Sequence, residues 1–164
     1  MPAILKGWFE RVYLYGFGYG LGEYNDKRWG DRYGDGKMLG KRAFLLVMVG
    51  WWKEHLFARG IAGPIDDVLF LINYGMLYYT GFVVLPAFVV YLADWFDDEK
   101  FWSMAIDLRQ KLKSLSDERP IAYRCQNGGD YELLTLVLKD GLGDSSAPGF
   151  SLHVMKEELG GLSG

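Results

Sequence analysis

Apolar positions are concentrated in residues 68–93, VLFLINYGMLYYTGFVVLPAFVVYLA, a run of 26 residues without a formal charge and with Asn73 and Thr80 as its main polar interruptions. The pattern predicts a membrane-spanning helix. At 1.5 Å per residue such a helix reaches about 39 Å, against roughly 30 Å of bilayer hydrocarbon. Its 14 Leu, Ile, Val and Phe residues favour insertion by about 4–8 kcal/mol before polar costs. Pro64, Asp66 and Asp67 suit the start of the helix, and Asp94, Asp97, Asp98 and Glu99 stop it. Pro86, inside the run, predicts a kink.

A shorter apolar stretch, residues 43–52 (AFLLVMVGWW), precedes Lys53, Glu54 and His55. It supports either a second span over about 40–58, with Lys41 and Arg42 snorkelling, or an interfacial helix over about 38–58. Ile4, Leu5, Trp8, Phe9 and Val12 recur at helical spacing, with Lys6 and Glu10 as an i,i+4 pair on the other face, which predicts a short amphipathic helix. Gly16, Gly18, Gly20 and Gly22 follow. On a helix they form two small-xxx-small pairs, a helix-packing surface; the alternative is a flexible glycine-rich turn. Beyond the long apolar run, Phe101, Met104, Ala105, Leu108, Leu112 and Leu115 form a helical stripe. Asp130 reads as a cap for a helix over 131–139, with a hairpin over 121–138 as the competing reading, and residues 156–164 read as an extended end. The expected class is therefore mainly α: an integral membrane protein with one transmembrane helix at about 68–93, a second at about 40–58 left open, an N-terminal amphipathic helix and a small, mostly helical C-terminal extension. Its expected divisions are residues 1–42 (amphipathic helix and basic Gly-rich loop), 43–97 (membrane region) and 98–164 (soluble extension).

Composition narrows the chemistry. The 164 residues are 50% hydrophobic and 16% aromatic, too rich in apolar surface for a disordered chain. A net charge of -3 argues against a nucleic-acid partner. The single cysteine, Cys125, excludes an internal disulfide framework and a multi-cysteine metal site. Residues 1–42 hold 8 basic and 5 acidic side chains, 43–93 hold 2 and 3, and 94–164 hold 8 and 13. Basic Lys37, Lys41 and Arg42 suit anionic lipid headgroups such as cardiolipin, and Trp51, Trp52, Trp95 and Trp102 suit the headgroup level.

No catalytic signature emerges. Asp26, Asp31 and Asp35 lack the alternating calcium-loop spacing, Gly40-Lys41 lacks the rest of a phosphate loop, and the 15–22 segment lacks a dinucleotide fingerprint. His55 and His153 have no neighbouring ligand partners. No cofactor, metal or catalytic residue is expected, beyond a structural phospholipid. This profile resembles the supernumerary subunits of mitochondrial energy-transducing complexes. Residues 7–13, GWFERVY, are similar to the Gly-x-Phe-x-Arg-x-Tyr run of ATP synthase subunit f, the match resting on Gly7, Phe9, Arg11 and Tyr13. The resemblance implies a noncatalytic structural subunit of an inner-membrane respiratory-chain or ATP synthase complex, partnered by other membrane subunits and lipids. The alternatives are a membrane-anchored haem, redox or cofactor-binding subunit using His55, or an assembly factor.

Overall fold

The computed structural model describes residues 1–143 and 149–155. In it the predicted membrane region is a β-α-β unit. Strands β1 (Arg42–Ala43) and β2 (Leu46–Val49) precede helix α2 (Ile65–Ile72), and strands β3 (Val83–Val84) and β4 (Phe88–Tyr91) follow it. β1 pairs with β3 and β2 with β4, both parallel, in registers Arg42↔Val83 and Leu46↔Phe88. Between the two paired stretches, two residues on the first strand oppose three on the second, so one extra residue bulges out at Pro86, where a proline's missing N–H is tolerated. The kink expected of Pro86 in a helix is a strand bulge instead. β2 has a hydrogen-bonded neighbour on one side only among the described residues, and Leu46 and Met48 stand exposed along it.

The 68–93 run thus divides rather than spans. α2 continues through a π turn (Asn73–Leu77) and a 3₁₀ turn (Tyr78–Thr80), then stops at Gly81. The Gly81 N–H donates to Tyr78 O at 3.0 Å and the Phe82 N–H to Leu77 O at 3.2 Å, the paired bonds of a left-handed helix terminus. Gly81 has φ +98°, and a Cβ there would lie 2.8 Å from Asp35 O. Only Gly81 and Phe82 separate this helical segment from β3, and the helix keeps apolar residues on its exposed face too (Val68 and Leu71), so helix and strands read together as one unbroken apolar stretch. Among the described residues no helix is long and apolar enough to cross a membrane. The expected span at about 68–93, the second at about 40–58 and the interfacial helix over 38–58 are corrected accordingly; residues 42–49 are strand.

Helix α1 (Ala3–Val12) forms where the apolar spacing placed it, with Lys6 paired to Glu10, yet Phe9 alone of its residues is buried. Gly16, Gly20 and Gly22 adopt φ of +78°, +75° and +73°, so the proposed helix-packing glycines lie in turns, not on a helix. Their neighbours Tyr15 and Tyr19 make an isolated bridge. Helix α3 (Asp98–Lys113) starts at Asp97, whose carboxylate accepts from the Lys100 N–H at 2.8 Å. Its apolar stripe buries nothing fully; Phe101 and Leu112 are exposed. Residues 131–139 are not helical: Tyr131 bridges Leu138 antiparallel, closer to the hairpin reading. The 156–164 end lies outside the described residues.

The core gathers Phe9 from α1, Phe70 and Leu77 from α2 and its continuation, Val84 from β3, and Tyr123 from the C-terminal segment. That segment attaches to the sheet through the Ile121 N–H, which donates to Val84 O at 2.8 Å. Leu85 beside it is fully buried.

Candidate functional site

Parallel strands end on the same side of a sheet, and the loops leaving their carboxyl ends form the crevice in which open α/β folds bind ligands. Here β2 runs into Gly50, Trp51 and Trp52, and β4 into Leu92, Ala93 and Asp94. Leu92 sits at φ +55°, a costly conformation for a branched side chain. It turns the chain so that the Leu92 N–H donates to Trp51 O at 3.2 Å. The two loops are thereby tied side by side.

A cleft of about 670 Å³ opens at this end, lined among others by Val49, Gly50, Trp51, Ile65, Val68 and Asp94. That volume is in the range of small-molecule and cofactor pockets. A Cβ on Gly50 would lie 2.4 Å from Asp94 Oδ2, so glycine lets the Asp94 carboxylate close over the strand end. Trp51 and Trp52 are 51% and 60% exposed, which leaves large flat aromatic surface facing the cleft mouth or solvent. The His55 ring meets Trp51 edge-to-face with centroids 5.9 Å apart. His55 itself belongs to a single 3₁₀ turn, Lys53–Leu56, that Leu56 pins by burial. A flat heteroaromatic group fits this chemistry: apolar walls to displace water, ring faces to stack on, and a carboxylate at the rim to accept a hydrogen bond. No cluster of three or more metal-ligating side chains occurs among the described residues.

The residues singled out from the sequence scatter. Lys41 and Arg42 lead into the amino end of the strand, with the Arg42 guanidinium donating to Glu118 O, whereas Trp51 and Trp52 stand at its carboxyl end, roughly 30 Å further along at 3.3 Å per residue. Lys37 lies in the loop before β1, Trp95 in the short turn Ala93–Trp95, and Trp102 on α3. No membrane boundary gathers them. Trp51 and His55 come together; Gly50 and Asp94 were missed as site residues. A glycine followed by exposed aromatics just after a strand is the signal that would have found them.

Comparison with known proteins agrees with this geometry. A family model described as Flavodoxin-like fold matches residues 1–112. The chain is 55% identical over 157 residues to the ribosyldihydronicotinamide dehydrogenase-like protein traD of Penicillium crustosum, covering 96% of this chain and 58% of that one. It is 31% identical over 121 residues to the ribosyldihydronicotinamide dehydrogenase [quinone] of Mus musculus, covering 74% and 49%. A solved Klebsiella pneumoniae structure described as a candidate quinone reductase superposes with TM-score 0.91 at 48% identity, covering 94% of this chain and 60% of that one. The chain therefore spans about half to three-fifths of the length of these relatives. These matches overturn the resemblance to ATP synthase subunit f and to supernumerary subunits, and with it the mainly α membrane class and the mitochondrial inner-membrane assignment. They equally overturn the noncatalytic structural role; of the alternatives, the redox one lies nearer. The GWFERVY run is simply the second half of α1 and its C-cap.

Proposed function

Because the chain belongs to the flavodoxin-like fold family, we propose that it forms part of a flavin-dependent oxidoreductase that carries two electrons from a reduced nicotinamide donor to a quinone. The observation that carries this reading is the open apolar cleft at the carboxyl ends of β2 and β4, faced by Gly50, Trp51 and Asp94. The relatives' names supply the substrate classes. A flavin held here would supply reversible two-electron, hydride-type chemistry.

The chain's own residues bind, orient and exclude water. Gly50 makes room for the Asp94 carboxylate at the strand end, and Val49, Ile65 and Val68 form an apolar wall. Trp51 offers a face to a flat cofactor or substrate, held in place by the His55 ring. Asp94 is the carboxylate nearest the strand end and can accept a hydrogen bond from a ring N–H.

Titration of the chain with FAD, followed by quenching of tryptophan emission, tests the reading. Saturable binding is expected, weakened about two- to tenfold by Trp51→Ala, the loss of roughly one aromatic contact of about 0.5–1.5 kcal/mol. With FAD present, oxidation of a dihydronicotinamide by a simple benzoquinone should accelerate. No saturable quenching and no flavin-dependent acceleration would refute it.

A further inference from the structure

A second cavity, of about 170 Å³, shares no residue with that cleft and opens to solvent; it is lined by Tyr33, Tyr74, Gln126, Tyr131, Leu136 and His153. Its rings belong to a larger array. Tyr33 meets Tyr79 edge-to-face with centroids 5.0 Å apart and stacks on Tyr74 at 4.7 Å. Tyr74 reaches Tyr78 at 5.6 Å and Tyr123 at 5.2 Å. It also stacks on His153 at 5.5 Å, and Tyr131 stacks on the same imidazole at 6.0 Å with planes at 20°. The described residues thus hold a continuous set of tyrosines joined to one histidine.

Phenols are among the side chains most readily oxidised by one electron, and ring contact lets an electron vacancy pass from one to the next. Where the vacancy stops is decided by the proton. A phenol radical cation is a strong acid, and burial penalises its charge. A buried tyrosine therefore yields an electron readily only where a base takes its proton in the same event. None of these phenols is ionised beforehand: burial raises the pKa values of Tyr33, Tyr74, Tyr78, Tyr123 and Tyr131.

The hydroxyls differ in what they face. Tyr78 Oη donates to Tyr123 O at 3.1 Å, a carbonyl too weakly basic to take the proton. Tyr131 Oη meets His153 Nδ1 at 2.9 Å. The chain has two histidines, and the other, His55, lies against Trp51 at the cleft. Burial, then Arg124, lowers the His153 pKa, which leaves the ring neutral at pH 7 with a lone pair to offer. Arg124 Nη1 is itself paired with Asp130 Oδ2 at 2.5 Å, which offsets part of its repulsion of an imidazolium. The Arg124 backbone N–H donates to His153 O at 3.0 Å and its Nε to Leu152 O at 3.0 Å, holding the histidine within reach of Tyr131.

We propose that Tyr131 is a redox-active tyrosine, the point at which the array gives up an electron, with His153 Nδ1 as its proton acceptor. The oxidant is a strong one-electron acceptor such as an organic peroxyl radical, for which the open cavity gives access to the rings. It takes one electron and, with a proton from water, leaves as a hydroperoxide. Tyr131 loses that electron while its Oη–H bond breaks and an N–H bond forms at His153 Nδ1, leaving a neutral tyrosyl radical beside an imidazolium. The neutral histidine carries its proton on Nε2 beforehand. This role stands independently of the flavin reading.

Flash oxidation of the full chain with photogenerated tris(bipyridine)ruthenium(III), itself reduced to ruthenium(II), tests it. The tyrosyl absorption band is expected to rise in a fast phase that Tyr24→Phe, a change at an exposed ring, leaves intact and Tyr131→Phe removes. In His153→Gln, whose amide can still accept the hydrogen bond but not the proton, that phase should slow by about a hundredfold or more, the contribution of a positioned base. A merely structural histidine would not give this difference. In the unaltered chain grown with nitrogen-15 histidine, pulsed electron paramagnetic resonance should show the radical coupled to a histidine nitrogen, which decides the matter if either variant does not fold. Absence of the fast phase, its survival in Tyr131→Phe, an unchanged rate in His153→Gln, or a radical without that coupling overturns the proposal.

Discussion

Replacing Gly81 by alanine separates the architecture found here from the long helix that the apolar run suggested. In the middle of a helix, Gly→Ala stabilises by about 1 kcal/mol. At Gly81 the residue sits at φ +98°, where a Cβ would meet Asp35 O at 2.8 Å, Asp35 C at 3.0 Å and Leu39 N at 3.1 Å. The left-handed backbone costs an L-residue about 1–2 kcal/mol. The contacts are to backbone atoms that cannot rotate away, and relieving such overpacking costs about 1–3 kcal/mol more. A destabilisation of about 2–5 kcal/mol is therefore expected. Gly63→Ala isolates the first contribution, since Gly63 has φ +74° with nothing within 4 Å of its Cβ position; about 1–2 kcal/mol is expected there. Urea unfolding followed by tryptophan emission measures both. With m of about 1–3 kcal/mol/M, the Gly81 midpoint should fall by about 1–2 M or more and that of Gly63 by about half as much, at unchanged m. A stabilised Gly81→Ala, or two variants equal in cost, would refute the reasoning.

Leu85→Ala should destabilise by about 2–5 kcal/mol in the same assay, because Leu85 is fully buried where the second strand bulges and the hole has little freedom to collapse. Asp97→Ala removes the side-chain acceptor of the Lys100 N–H and should cost about 0.5–2 kcal/mol, visible as faster amide exchange in the first turn of α3. His153 gives stability a pH slope: burial and then Arg124 hold its folded pKa below the ordinary value, so the unfolded chain binds more protons between the two values. Stability from this source is fully present above about pH 6.5 and falls as pH drops toward the folded value. Comparing thermal midpoints of the unaltered chain and His153→Asn across that window checks it; parallel curves would show that His153 contributes nothing to the slope.

The amino-terminal helix and the α3 stripe were legible because each carries an amphipathic period that local spacing alone reveals. The membrane reading failed for a physical reason. Helix α2 carries apolar side chains even on its exposed face, Val68 and Leu71 among them, and β3 and β4 follow within a few residues, so no polar face separates helix from strand and their join at Gly81 is hidden in one apolar run. The clues were the glycine, Pro86 in a position that strands tolerate at a bulge, and the β-branched pairs Val83, Val84 and Val89, Val90. The aromatic and glycine cluster at residues 50–52 was assigned to a lipid interface by composition, though exposed tryptophans after a strand suit a ligand cleft as well. The tyrosine-lined cavity could not have been read at all, since Tyr33, Tyr74, Gln126 and His153 come from separate segments whose meeting depends on the fold.

Among the described residues β2 (Leu46–Val49) is hydrogen-bonded on one side only, and no charge lies between Arg42 and Lys53. Nature usually blunts such a border with lysine, proline or a covering loop. Among these residues the main-chain donors and acceptors on that side of the strand point away from the sheet, the arrangement through which one more extended segment, of this chain or of another, continues a ladder.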